Sequence, residues 1–219
     1  MVADWQRYFH HIFCINLKKR TDRLERVQYI FQEYGIDATI YEGIECEKGA
    51  VGLVLTMKKL FTECLDNGID RVLVFEDDVK MLHDPYTFHN TMNKCVEDLK
   101  RVDWQQFYLG TQHPKPFFRW ETENILPVEL AFSTHAVAYG KRAMEAAECA
   151  FIDEPIDNWW VREFQKYNLS FCSYPILCTQ EAMYSDIGND YIDWDVYITP
   201  TFERHVRPIL HDRFKKQKV

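Results

Sequence analysis

Glu76-Asp77-Asp78 follows the apolar run Val72-Leu73-Val74-Phe75 and precedes Val79. Three adjacent carboxylates repel one another, which costs stability unless a cation or a hydrogen-bond network compensates. A hard divalent ion carrying phosphate oxygens is a natural compensation. The apolar run reads as a buried strand of the parallel type. Ligands in open α/β sheets bind in the crevice beyond the carboxyl ends of such strands. The triplet also reads as a solvated turn. An acidic helix cap is disfavoured, because Asp84-Pro85 opens the next helix several residues later.

The elements that must position this triplet alternate. Ile12-Phe13-Cys14-Ile15 predicts a strand. Asp22 reads as a helix N-cap with Glu25 three residues on, a capping box. Leu24, Val27, Phe31 and Tyr34 follow at helical spacing, and Gly35 closes the helix in a left-handed conformation. Residues 38–41 read as a short strand. Val51, Val54, Leu55, Phe61 and Leu65 mark a second helix that stops near Asn67-Gly68. A third amphipathic helix carries Phe88, Met92, Cys95, Val96 and Leu99, and Phe107-Tyr108-Leu109 is a strand ending at Gly110. This alternation implies a mostly parallel sheet with right-handed crossovers.

The second half is less regular. Residues 111–124, with two prolines and three aromatics, read as a loop over a site. Ala131-Phe132 and residues 136–139 are strand candidates, and residues 140–150 a helix. Another helix opens near Asp157 and carries Trp159, Trp160, Phe164 and Tyr167, followed by a strand over residues 169–174. The pattern weakens after Gln180. Lys215-Lys216-Gln217-Lys218 reads as a solvated tail or as the start of a link to a further domain.

A chain of 219 residues with 47% hydrophobic side chains can bury a substantial core. We read it as a single domain over residues 1–219. The net charge of −8 argues against general binding to nucleic acid or anionic membrane. No run of about 18 apolar residues predicts a membrane span. The N-terminus lacks a basic region followed by an apolar stretch, so no signal peptide is expected. The seven cysteines are scattered without zinc-ligand spacing. Cys14, Cys64, Cys95, Cys149 and Cys172 lie in apolar contexts that suit buried thiols, and a reducing, cytoplasmic compartment is the simpler expectation.

Four segments resemble the family 25 glycosyltransferases, which include lipooligosaccharide and collagen hydroxylysine galactosyltransferases. Ile15-Asn16-Leu17-Lys18-Lys19-Arg20-Thr21-Asp22-Arg23 resembles the family's opening strand and arginine turn. Residues 49–60 occupy the place of its Gly-rich helix start. Val74-Phe75-Glu76-Asp77-Asp78-Val79 resembles its acidic metal motif. Pro155-Ile156-Asp157, then Pro175, Gln180 and Ser185-Asp186, resemble its acceptor-side segment. One departure is Thr56-Met57, where the family usually has Ser-His.

The resemblance implies a GT-A type α/β fold, a Rossmann-like, mostly parallel sheet with helices on both faces. The nucleotide-sugar half would span about residues 10–110 and the acceptor half about 111–200. It implies a metal-dependent hexosyltransferase, with Mn2+ or Mg2+, a UDP-sugar donor, a glycan or glycoprotein acceptor, and inversion. A carboxylate-held metal neutralises the diphosphate leaving group as its charge develops. Asp78 is the first choice for direct ligand and Glu76 binds directly or through water. Asp77, on the opposite side of an extended chain, would touch ribose or sugar. Asn16, Arg20 and Arg23 are candidate nucleotide contacts, although with Lys18, Lys19 and Arg26 the arginines also fit a solvated basic face. Inversion needs a base, for which Asp157 is the candidate, with helix N-cap as its alternative reading. Of Trp159 and Trp160, one is expected in the core and the other against a sugar. His135, His205 and His211 are possible completers of the metal shell.

Two other classes fit the carboxylates. A phosphoryl or nucleotidyl transferase also places carboxylates around magnesium, but no Gly-rich phosphate loop with lysine is present. A non-catalytic sugar-binding domain of the same fold is the other.

Overall fold

The structure, a computed structural model, describes residues 4–112, 114–116, 122–185, 190–193, 196, 198–200 and 204. Asp186, His205, His211 and the tail at 215–218 lie outside the described residues.

After a short helix α1 (Asp4–Tyr8), strand β1 (His11–Asn16) leads to α2 (Thr21–Tyr34), β2 (Thr39–Glu42), α3 (Gly49–Asp66) and β3 (Arg71–Glu76). A turn at Asp77-Asp78 joins β3 to β4 (Val79–Met81), followed by α4 (Pro85–Leu99) and β5 (Gln106–Tyr108). Then come β6 (Lys115–Pro116), β7 (Ile125–Glu129), β8 (Ala136–Gly140), α5 (Lys141–Ala147), α6 (Ile156–Trp159) and β9 (Ser170–Ser173). The short strands β10 (Cys178–Gln180), β11 (Met183–Ser185) and β12 (Asp190–Ile192) follow.

The central sheet has the order β2-β1-β3-β8-β5-β9-β7-β6. β1 is parallel to β2 and β3, and β5 is parallel to β9, while β8 and β7 run against their neighbours. Six of the eight strands therefore point the same way. The chain passes from β1 to β2 on one side and then from β2 across to β3 on the other, so the strand order reverses between β1 and β3.

Successive strand residues face opposite sides, and here both sides are buried. Ile12, Cys14, Leu73 and Phe75 pack with Val27 and Phe31 of α2 and Phe88 and Met92 of α4. Phe13, Ile15, Val72 and Val74 pack with Val54, Met57 and Phe61 of α3, Met144 of α5 and Trp159 of α6. This is the continuous apolar reading expected of strands covered by helices on both faces.

Several expectations are corrected by the packing. Asp22 lies inside the first turn of α2, not at its cap; the cap position is Arg20, and the Asp22 carboxylate binds the Arg20 side chain. Gly35 does close α2 in the left-handed region, at φ 58°. Ala131-Phe132 is not a strand; Phe132 makes only an isolated bridge to Gln112, and the strand is β7, whose Pro127 disguised it. Gly140 ends β8 rather than starting α5. Cys149 is exposed, whereas the other four thiols expected to be buried are buried. Trp159 and Trp160 are both in the core, 5% and 0% exposed, so neither is presented to a sugar.

Gly110 illustrates how tightly β10 is docked. Leu109 O accepts from Leu177 N and Cys178 N at 2.7 and 3.1 Å, and a Cβ on Gly110 would lie 1.9 Å from Cys178 O. Gly110→Ala is expected to push β10 away and cost about 2 kcal/mol or more, since the clashing atom is backbone. Urea unfolding checks this; a midpoint equal to that of the unsubstituted protein would show that β10 yields freely.

Candidate active site

The reversal of strand order between β1 and β3 leaves a crevice beyond their carboxyl ends, the usual ligand position in such sheets. A cavity of about 440 Å³ occupies it. Glu76, Asp77 and Asp78 enter from the end of β3, Leu17, Lys19 and Arg23 from the β1–α2 side, Gly43 to Glu47 and the start of α3 from another, and Asp157 from α6.

Asn16, Arg23 and Asp77 come together, but on one another. Asn16 Nδ2 donates to Asp77 Oδ2 at 2.8 Å, and Arg23 Nη1 donates to Asp77 Oδ1 at 2.7 Å. All three side chains are buried. Asp77 is thus the carboxylate whose charge the protein compensates with its own donors. The triplet is a turn, but a buried one, so the solvated-turn reading does not hold. Nor do the arginines form a solvated face: Arg26 donates to Val79 O at 2.9 Å and Glu181 Oε2 at 2.8 Å. Arg20 faces Asp22 and is not among the cavity-lining residues.

Glu76 and Asp78 are left facing the crevice. Thr134 Oγ1 donates to Glu76 Oε1 at 2.6 Å, and Gln180 Nε2 lies 3.4 Å from Asp78 Oδ2. Burial and then repulsion by Asp78 push the Glu76 carboxyl well above its ordinary range, and burial and then Asp77 do the same to Asp78. Asp78 Oδ1 is buried with no hydrogen-bond partner among the described residues. A pair of hard, desolvated oxygen donors with one orphaned atom suits Mg2+ or Mn2+, whose other positions substrate oxygens and water would fill. No group of three His, Cys, Asp or Glu side chains able to hold a metal is found among the described residues. His135 does not join one: it is fully buried, its Nε2 is 3.3 Å from Cys178 O, and burial lowers its pKa to about 4.

Asp157 sits in the first turn of α6, where Pro155 holds the cap position. Its Oδ2 accepts from Ser133 N at 3.2 Å and its Oδ1 from Asn158 N at 2.9 Å. Burial raises its pKa, and these two N–H groups oppose the rise. The Thr56 hydroxyl donates to Gly52 O and accepts from Ile44 N, holding the 43–47 loop against α3, and Met57 beside it is core. Ser133, Thr134 and Gln112, which also line the cavity, carry no signal in the sequence: they are small or polar residues in irregular backbone.

The raised carboxyls fix a pH dependence. The folded state holds protons on Glu76 and Asp78 that the unfolded chain has already released above the ordinary carboxylate range, so stability falls as pH rises through that window. Denaturant unfolding of metal-free protein is expected to show this fall from about pH 5 to about pH 8. Asp78→Asn, which removes one charge, is expected to gain about 1 kcal/mol at neutral pH and to flatten the dependence. An Asp78→Asn protein with unchanged stability and slope would contradict the stored repulsion.

No protein-family model matches the chain. It is 26% identical over 132 residues to procollagen galactosyltransferase 2 of Mus musculus, covering 47% of this chain and 21% of that protein. It is 26% identical over 165 residues to the Homo sapiens protein named inactive glycosyltransferase 25 family member 3, covering 61% of this chain and 27% of the relative. The Mus musculus protein of that name is 27% identical over 195 residues, 73% of this chain and 32% of the relative. The chain thus spans about a fifth to a third of the length of these curated relatives. Among solved structures, a glycosyltransferase involved in the glycosylation of the major capsid of PBCV-1 matches with a TM-score of 0.50 at 15% identity, covering 82% of this chain and 95% of that one. The chain is therefore similar in sequence to members of the glycosyltransferase 25 family and shares its α/β fold with a solved glycosyltransferase.

Proposed function

We propose that this chain is a glycosyltransferase that moves a hexose from a UDP-sugar to a hydroxyl of a glycan or protein-linked acceptor, with inversion and with manganese or magnesium. The observation that carries this reading is the convergence of Glu76, Asp78 and Asp157 on one crevice at the point where the strand order reverses. The names of the relatives support sugar transfer as the reaction class. Residues at about 10–110 would serve the nucleotide sugar and those at about 111–200 the acceptor.

Glu76 and Asp78 would hold the metal, whose chemistry, when bound, is to neutralise the diphosphate leaving group. Lys19 and Arg23 line the same cavity, Lys19 paired with Glu45 at 2.8 Å and Arg23 with Asp77 at 2.7 Å. Asn16 and Asp77 would serve the donor indirectly, through the Asn16–Asp77–Arg23 contacts, and Arg20 would have to leave Asp22 to reach it. Asp157 would take the proton from the acceptor hydroxyl; its raised pKa brings it nearer the working range of a general base.

No helix of the described residues is long and apolar enough to cross a membrane. Cys14, Cys64, Cys95, Cys172 and Cys178 serve as buried apolar thiols, which supports a reducing compartment, and we take the cytoplasm as the proposal.

Two outcomes test the reading. UDP is expected to raise the melting temperature only with manganese or magnesium present, because diphosphate beside uncompensated carboxylates is repulsive. Tight UDP binding in a chelator would count against it. Asp157→Asn keeps the side chain's shape but cannot take up the proton, so transfer is expected to fall roughly 100-fold or more. Donor affinity in a parallel titration should stay near that of the unsubstituted protein. The relatives named inactive give a second reading, a sugar-binding domain without turnover; transfer lost on Asp157→Asn separates the two.

A further inference from the structure

The segment between β7 and β8 touches both proposed functional carboxylates through consecutive residues. Ser133 N donates to Asp157 Oδ2 at 3.2 Å, and the Thr134 hydroxyl donates to Glu76 Oε1 at 2.6 Å. Glu76 N in turn donates to His135 O at 2.9 Å. The backbone adopts the left-handed region at two residues that carry side chains, Leu130 at φ 55° and Ser133 at φ 75°. Such conformations persist only where the surroundings over-determine them.

Here the surroundings do. The buried Gln165 amide grips Ala131 on both sides, its Oε1 accepting from Ala131 N at 2.9 Å and its Nε2 donating to Ala131 O at 2.8 Å. Thr111 Oγ1 donates to Phe132 O at 2.6 Å, and Gln112 Nε2 donates to Ser133 Oγ at 3.0 Å. A loop that merely linked two strands would need none of these ties. The left-handed turn at Ser133 lets its N–H leave the sheet ladder and meet α6 while the next side chain meets the end of β3.

We propose that residues 130–135 are a positioning clasp that holds the Glu76 and Asp157 carboxylates at one separation. The clasp keeps the metal–diphosphate end of the site in register with the acceptor-hydroxyl end. Ser133 and Thr134 act through the carboxylates they hold. The proposal rests on the glycosyltransferase reading above.

Calorimetric titration of manganese into protein with UDP, without acceptor, tests the clasp apart from turnover. Thr134→Val keeps the shape and removes the hydroxyl. It is expected to weaken manganese binding about ten-fold or more, the size usual when a group orienting a metal ligand is lost. Thr134→Ser is expected to recover most of that loss. Ser133→Val puts a branched side chain at φ 75°; it is expected to lower both manganese affinity and kcat. Ser133→Gly adopts that angle freely and is expected to keep more of both than Ser133→Val. Manganese affinity untouched by Thr134→Val, or equal behaviour of Ser133→Val and Ser133→Gly, overturns the clasp. If Ser133→Val does not fold, the Thr134 pair decides alone. Absence of manganese-dependent UDP binding in the unsubstituted protein overturns the glycosyltransferase reading instead, and is seen before any variant is made.

Discussion

The Asp77 carboxylate, shared between Asn16 and Arg23, is the interaction on which the rest of the crevice depends. It ties the carboxyl end of β1 and the first turns of α2 to the turn after β3. Breaking a buried ion pair from one side typically costs about 3–5 kcal/mol, because a desolvated charge is left behind. Both oxygens of Asp77 are engaged, so one member of the triplet is settled inside the protein, while its neighbours keep weaker compensation: the Thr134 hydroxyl on Glu76, and the Gln180 amide at 3.4 Å and Arg23 at 3.8 Å on Asp78. That division turns a repulsive triplet into an anchor flanked by two donors with unspent charge.

The sheet makes the same division at a larger scale. Parallel β1, β2 and β3 supply the crevice, and helices cover both faces. β8 then runs antiparallel between β3 and β5, and this reversal delivers its leading residues to the end of β3. A strand entering in the parallel sense would present its other end there. The direction of one strand therefore decides which residues meet Glu76.

What was legible in the sequence was what sits close together in it. Four apolar residues before three carboxylates identify β3 and its terminus, and Gly35 and Asp84 mark helix ends by their own chemistry. Asp157 falls in the expected cavity. Contacts made by common residue types across long separations were not legible: Thr134 meets Glu76 from 58 positions away, and Gln180 meets Asp78 from 102. The tryptophan pair failed for a different reason. The helix that carries them is buried on more than one face, so rings about 100° apart both meet the core: Trp160 lies beside Tyr139 and Phe164, and Trp159 belongs to the same buried cluster. They pack edge-on to each other, centroids 4.9 Å apart.

The Arg26 guanidinium, held between Val79 O and Glu181, closes the chain across 155 positions. Contacts of such separation are paid for in loop entropy before they return any stability, and chains rich in them fold slowly. The β1–α2–β2 unit is built from near neighbours and can assemble early. The floor of the crevice, in contrast, is finished only when the strand at Cys178–Gln180 docks beside β4. On a ribosome, a nascent chain would hold Asp77 between Asn16 and Arg23 early, yet carry Asp78 without its Gln180 neighbour until residue 180 had emerged.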